Sequence, residues 1–202
     1  MDRKENAFLP NPVIGSLIGL CPIVVVSGNF ASGVMVALGI LLSMLALGAL
    51  LPAIRGLFPE RLRAPLAFAL AAVFSAAYGL AAEAYSPLLS TLTGIFIPLT
   101  VVNCLILTTL RRGIRDTESI AAWVLPTAFL YFLTVVLLSA FREALGSGRL
   151  TLPTPGELPM TLAIFDTAPL RILTSPAGGF ILLGCFAAIY RMILRKQGRR
   201  IP

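Results

Sequence analysis

The sequence predicts an all-α membrane protein: six transmembrane helices as two inverted three-helix repeats, the first and fourth helices broken. Three observations lead there. The chain of 202 residues is 57% hydrophobic and only 12% charged, with a mean hydropathy of +0.92. A soluble domain carries about 25% charged residues, so there is too little polar surface here to coat a globule in water. The apolar residues also fall into six runs, each near the ~20 residues that a helix needs to cross ~30 Å of hydrocarbon. Finally, two of those runs carry a proline in matching surroundings, Pro22 and Pro98.

The runs are residues 12–30, 32–54, 65–85, 87–110, 119–141 and 176–194. They form a single integral membrane domain over 1–202, with repeat one at about 11–85 and repeat two at about 87–194. The first run follows Arg3 and Lys4, as a signal peptide core would. It lacks a small-x-small cleavage site and is interrupted by Pro22, so it reads as a retained span. In the second run Gly39, Ser43 and Gly48 predict close helix contacts. The fourth run is interrupted by Pro98. The fifth and sixth are separated by residues 142–175, rich in Pro, Gly and Thr, which read as a loop packed on the outer face, alone or with a short re-entrant or interfacial piece.

Orientation follows from the positive charges. With the N-terminus in the cytoplasm, thirteen of the sixteen Lys and Arg residues fall on the cytoplasmic side, in clusters at 3–4, 55–63, 111–115 and 191–200. Only Arg142, Arg149 and Arg171 fall outside. Retention of Lys and Arg on the cytoplasmic side orients membrane helices, so both termini are expected inside. The net charge of +7 is thus a topology signal that also meets anionic lipid. No basic patch interleaved with aromatic residues exists, and no nucleic-acid partner is expected.

The two proline runs align. In "CPIVVVSGN" (21–29) and "IPLTVVNCL" (97–105), Pro22 matches Pro98, Val25 and Val26 match Val101 and Val102, and Ser27 matches Asn103. Gly19 and Gly94 precede the prolines by three or four residues. Either proline alone could simply kink a helix. Both in one setting, each near a cysteine, point to broken helices at the start of each half. A half with three spans has its ends on opposite sides, so the two halves must be inverted. Breaks in such repeats often mark a site.

The side chains able to do chemistry are few. There are three cysteines, Cys21, Cys104 and Cys185, and no histidine. Imidazole proton shuttles and His-ligated metals are excluded within this chain. No Ser/His/Asp set, phosphate loop or pair of carboxylates is found, so no catalytic residue is expected and the isolated chain is not evidently an enzyme. Glu83, Asp116, Glu118, Arg142 and Glu143 sit at or beyond span ends, which counts against an autonomous proton pump. Sodium could still use backbone carbonyls at the breaks.

For any one cysteine the simplest reading is a small buried apolar residue, and for Cys185 it is the preferred one. Cys21 and Cys104 lie on the first helix of each half. A [2Fe–2S] cluster takes four thiolates; this chain could offer two and a second chain the others. Half-helix N-termini favour anions, and Asn103 could cap one. The residues alone leave three classes open: an electron-transfer subunit, a small inverted-repeat ion transporter or channel, and a purely structural membrane subunit.

The stretches "NPVIGSLIGLCP", "GIFIPLTVVNC", "FREALGSGRL" and "IFDTAPLRILTSPAGGF" resemble the E-type membrane subunit of Rnf-type electron transport complexes. The D-type subunit of the sodium-translocating NADH:quinone reductase is similar but less close. The resemblance runs from about Asn11 to Tyr190. It implies a membrane subunit of an ion-translocating ferredoxin:NAD oxidoreductase in the bacterial cytoplasmic (inner) membrane. It also implies an A-type sister subunit, further membrane and cytoplasmic redox subunits, and a [2Fe–2S] cluster shared with that sister. The matching iron ligands here are Cys21 and Cys104. The threonine motif that carries covalent flavin in other subunits has no counterpart, so no flavin is expected on this chain.

Overall fold

The structure is a computed structural model that describes Val24 and residues 26–94, 96–115, 120–153, 160–163 and 171–196. It is predominantly helical. In chain order come α1 (Phe30–Leu57), α2 (Glu60–Tyr85), α3 (Pro87–Thr93), α4 (Phe96–Leu99), a 3-10 turn (Thr100–Val102), α5 (Cys104–Arg115) and α6 (Ile120–Ser147). An antiparallel hairpin of β1 (Arg149–Leu152) and β2 (Met160–Ala163) follows, with Arg149 opposite Ala163 and Leu152 opposite Met160. A 3-10 turn (Arg171–Thr174) then leads into α7 (Pro176–Lys196).

Among the described residues, three helices are long and apolar enough to cross a membrane: Phe30–Ile54, Arg61–Tyr85 and Trp123–Ser147. They correspond to the second, third and fifth apolar runs. The fourth run is a bent pair, Pro87–Thr93 with Phe96–Leu110, turned by 57°. The sixth holds a shorter apolar helix, Pro176–Ile189. Most of the first run lies outside the described residues.

Helix α1 lies at the centre, packed against α2, α5 and α6. Its inward stripe is Ile40, Met44, Leu47 and Leu51, all buried, at the three- and four-residue spacing of one helical face. Ile106 from α5 and Val124, Tyr131 and Val135 from α6 complete this core. Lipid is as apolar as leucine, so close packing rather than escape from water holds such helices together. The small residues of α1 provide that closeness. The Tyr78 ring of α2 covers Gly39 so tightly that a Cβ there would lie 2.6 Å from Tyr78 Cε1. The Tyr78 hydroxyl donates to Met35 O at 2.6 Å. Gly48 faces Val124 in the same way, with 3.1 Å from its notional Cβ to Val124 Cγ1. On α2, by contrast, Phe68, Val73 and Leu80 point outward.

Two expectations need correction. Pro98 marks the broken fourth span but is not itself the discontinuity. It sits in the single turn of α4, and the chain departs from helix on either side, at Gly94 and at Asn103. First-turn N–H groups have no intrahelical partner, so a proline there loses nothing. Gly94 takes φ +30°, ψ −110°, open to glycine and strained for other residues.

The second correction concerns residues 142–175, expected to be loop. Helix α6 continues through Arg142 and Glu143 to Ser147, and Gly148 closes it at φ +69° with its N–H on Ala144 O at 3.2 Å. The β hairpin then occupies the start of the remaining segment. Charge density places Arg142 and Glu143 beyond the span end. In the fold both are buried, since each finds hydrogen-bond partners inside the protein.

Candidate functional site

The site candidate is the pair of helix breaks at the start of each sequence half. At the second break the chain tightens into the 3-10 turn, and Asn103 leaves it in an extended conformation. Asn103 N–H bonds Thr100 O at 3.1 Å, and Asn103 O accepts the first bond of α5 from Leu107 N at 3.0 Å. Its side-chain Oδ1 accepts from Leu105 N at 2.9 Å. This is N-capping, in which a short polar side chain satisfies a donor of the first turn. The amide Nδ2 donates to the Tyr131 hydroxyl of α6 at 3.0 Å, which ties the break to the core. One turn earlier, Ile97 O accepts from Ser75 Oγ at 2.9 Å and from Thr100 Oγ1 at 2.7 Å. A carbonyl just past the bend, Ile97 O, thus meets hydroxyls of α2 and of the turn itself.

Cys104 is the first residue of α5 and is exposed on the surface of the chain. It follows directly on the capping asparagine. Cys21 lies outside the described residues. Cys185 is exposed on α7, so it is not a buried residue as the simplest reading has it. Among the described residues, no group of three or more His, Cys, Asp and Glu is placed to hold a metal.

A cluster shared between two chains asks something narrower of this one: a thiol on its surface in electropositive surroundings. Cys104 fits. It sits in the first turn of a 12-residue helix, where N–H groups have no intrahelical partner and the macrodipole is positive.

The first break is where the structure adds most to the sequence. Val24 and Val26 are helical, residues 27–29 turn, and α1 starts at Phe30. When the two proline runs are aligned, Ser27 matches Asn103 and Val24 matches Thr100. The chain therefore leaves the helix at the same aligned position in both halves. The break is held by two consecutive residues of α6. The Arg142 guanidinium donates from Nε to Leu173 O at 2.7 Å, and from Nη1 to Val24 O and to Ser27 Oγ, the latter at 2.7 Å. From Nη2 it donates to Thr174 O at 3.2 Å and to Ser175 O at 2.8 Å. A guanidinium has five N–H groups, and all five are used on four carbonyls and one hydroxyl. The side chain is 1% exposed. Such a charge is tolerable because the carbonyl ends of helical segments carry partial negative charge.

Glu143 serves the other side of the break. Its Oε2 accepts from Phe30 N at 2.7 Å, at the start of α1, where Asn29 makes no side-chain cap bond. The same oxygen accepts from Thr151 N at 3.1 Å, and Oε1 accepts from the Thr151 hydroxyl. The carboxylate thus caps α1 and fastens the hairpin to it. Gly179 of α7 lets the guanidinium in, since a Cβ there would lie 2.9 Å from Arg142 Nη1. Sequence reasoning misses this arrangement. The available signal is an adjacent Arg and Glu at the edge of an apolar run, which also marks an ordinary span end.

Residues 3–187 match the family described as Rnf-Nqr subunit, membrane protein. A relative from Acetobacterium woodii, the E-type subunit of a Na(+)-translocating ferredoxin:NAD(+) oxidoreductase complex, is 28% identical over 193 residues, covering 92% of each chain. The E-type subunit of an ion-translocating oxidoreductase complex from Methanosarcina acetivorans is 30% identical, over 89% of this chain and 84% of its own. Its namesake from Pseudoalteromonas atlantica is 31% identical, over 98% of this chain and 88% of its own. The match over nearly the whole length, with the apolar spans that a membrane protein requires, places the chain in a family: it belongs to the Rnf-Nqr membrane subunits.

Proposed function

We infer that this chain is the E-type membrane subunit of an ion-translocating ferredoxin:NAD oxidoreductase complex. In this reading it spans the bacterial cytoplasmic membrane six times, as two inverted three-helix repeats with both termini inside. A sister of the A type completes its site. Cys21 and Cys104 are two of the four thiolate ligands of a [2Fe–2S] cluster, and the chemistry supplied there is the relay of single electrons across the membrane.

One observation carries this reading: an exposed thiol, Cys104, stands at the capped start of a half-helix in a member of this family. The names of the relatives support the complex, and the shared position of the two breaks supports the repeat. The chain's own contribution is positional. Asn103 holds the first turn of α5 open towards a partner, Tyr131 fixes Asn103, and the packed helices behind keep water out.

The test is EPR spectroscopy of the purified complex. Cys21→Ser and Cys104→Ser should each abolish the [2Fe–2S] signal, while Cys185→Ser should keep it. Retention of a normal signal in both single variants would remove the site assignment and favour a structural subunit. Ion flux through the isolated chain in liposomes would instead favour an autonomous transporter.

A further inference from the structure

We propose that the β1–β2 hairpin is a lipid-docking element. Its outward face of Leu150, Leu152, Met160 and Leu162 lies on the bilayer surface at the side where α6 ends and α1 begins.

The register defines that face. Side chains alternate between the two sides of a strand, and Leu150 stands opposite Leu162 and Leu152 opposite Met160. These four apolar residues therefore share one side, as two cross-strand pairs. The other side carries Thr151 and Thr161, with Arg149 and Ala163. Thr151 is bound to the protein: its N–H donates to Glu143 Oε2 at 3.1 Å and its hydroxyl to Glu143 Oε1. The apolar side thus points away from the side on which the Thr151 hydroxyl reaches Glu143. Leu150 and Leu152 are half-buried, whereas Met160 is 60% and Leu162 48% exposed. All of β2 is exposed, so it overhangs the bundle. A lone two-stranded hairpin is marginal in water and needs a surface to lie on.

Its place in the fold selects lipid as that surface. The span Trp123–Ser147 of α6 has 25 residues, or ~37 Å at 1.5 Å each against ~30 Å of hydrocarbon. Its last turn therefore reaches the headgroups. The chain reverses at Gly148, φ +69°, and Thr151 returns to Glu143, one turn before the end of α6. Glu143, which with Arg142 clasps the first break, also holds Phe30 N at 2.7 Å, where the span of α1 begins. The hairpin is thus tied at the level of two span ends instead of standing clear of them.

Charge and area agree. Arg149 is exposed at the root of the hairpin, where a guanidinium meets lipid phosphates, and neither strand holds an acidic residue. Four side chains, two of them half-buried, fall well short of the ~800 Å² per partner of a stable protein interface. Lipid asks only for apolar area and no matching shape. Deeper insertion is ruled out by the backbone. Among the described residues no strand pairs with the far edge of β2, and unpaired backbone groups are not tolerated in hydrocarbon. The depth that suits both side chains and edge is the outer ~5–10 Å of the headgroup–acyl boundary.

The test uses the full chain in vesicles of phosphatidylcholine and phosphatidylglycerol. Trp123 is the single tryptophan, so Trp123→Phe gives a dark background for Leu162→Trp, Met160→Trp and Thr161→Trp, made one at a time. The Leu162→Trp and Met160→Trp chains should emit to the blue. Phospholipid brominated high on its acyl chains should quench them about twofold more than phospholipid brominated at the chain ends, as a shallow seat requires. Thr161→Trp, on the other side, should emit to the red and be quenched by acrylamide in water instead. Adding Arg149→Glu to Leu162→Trp should lower its bromolipid quenching about twofold in these anionic vesicles; no change would overturn the phosphate contact.

If Leu162→Trp and Met160→Trp are quenched by acrylamide and not by bromolipid, the face stands in water and the proposal is overturned. If one of the two fails to insert, the other decides. In the assembled complex, p-benzoylphenylalanine in place of Leu162 should photocrosslink to phospholipid. A crosslink to another subunit would make this face a protein interface and overturn the lipid assignment.

Discussion

Asn103 and Tyr131 meet across the core, with Asn103 Nδ2 donating to the Tyr131 hydroxyl at 3.0 Å while Oδ1 caps α5 through Leu105 N at 2.9 Å. One amide group therefore links a helix start to the middle of a packed span. Asn103→Ala should remove the cap at a cost of about 0.5–2 kcal/mol. The measurement is the thermal midpoint of the detergent-solubilised chain, which should fall, with a smaller fall for Asn103→Ser because serine can still cap.

The hairpin is fastened to α1 through Glu143, which accepts from Thr151 N and from the Thr151 hydroxyl. Thr151→Val keeps the shape and the strand preference but deletes the hydroxyl donor. A hydrogen bond to a charged group contributes about 1.5–3 kcal/mol. Chemical denaturation should show a loss within that range, and hydrogen exchange should quicken at Phe30. An unchanged Phe30 amide would mean that the hairpin and α1 are not coupled.

Gly39 lies under the Tyr78 ring with no room for a side chain. Gly39→Val should drive α1 and α2 apart at a cost of about 1–3 kcal/mol from overpacking. Tyr78→Ala, harmful on its own through the lost cover and the lost bond to Met35 O, should relieve part of that cost. A double-mutant cycle read by thermal unfolding should give a non-zero coupling, since the residues are in contact.

Cys104 and Cys185 are both exposed on this chain. A membrane-permeant maleimide should label both in the isolated, detergent-solubilised chain. In the assembled complex Cys104 should be protected, because the proposed site places it against a partner chain and iron. Equal labelling of Cys104 in both preparations would argue against an interface at the second break.

Much of this fold is legible from composition because lipid is a simple solvent. Apolar run length sets span length, and α1, α2 and α6 fall where the runs at 32–54, 65–85 and 119–141 put them. Gly39 and Gly48 announce close contacts since a missing side chain has one main use in a packed span.

The breaks are half legible. Pro98 indicates the right neighbourhood, but the 57° bend falls at Gly94 and the helix is interrupted again at Asn103, because a proline in a first turn is compatible with helix. The clasp is not legible at all. Arg142 and Glu143 look like the border between lipid and water, and only tertiary contacts show that their partners are Val24, Ser27 and Phe30, more than a hundred residues away. The hairpin escapes notice for a related reason: four-residue strands such as "RLTL" and "MTLA" are too short to show an alternating pattern.

A guanidinium stays protonated under any condition a cell meets. The oxygens of Val24 and Ser27 are consequently engaged by a cation tethered to the protein itself. A sodium or hydronium ion reaching that spot would have to evict a like charge that is bolted to α6. Unwound backbone inside a membrane often serves as a cradle for small ions; here the protein has filled the cradle with a piece of itself.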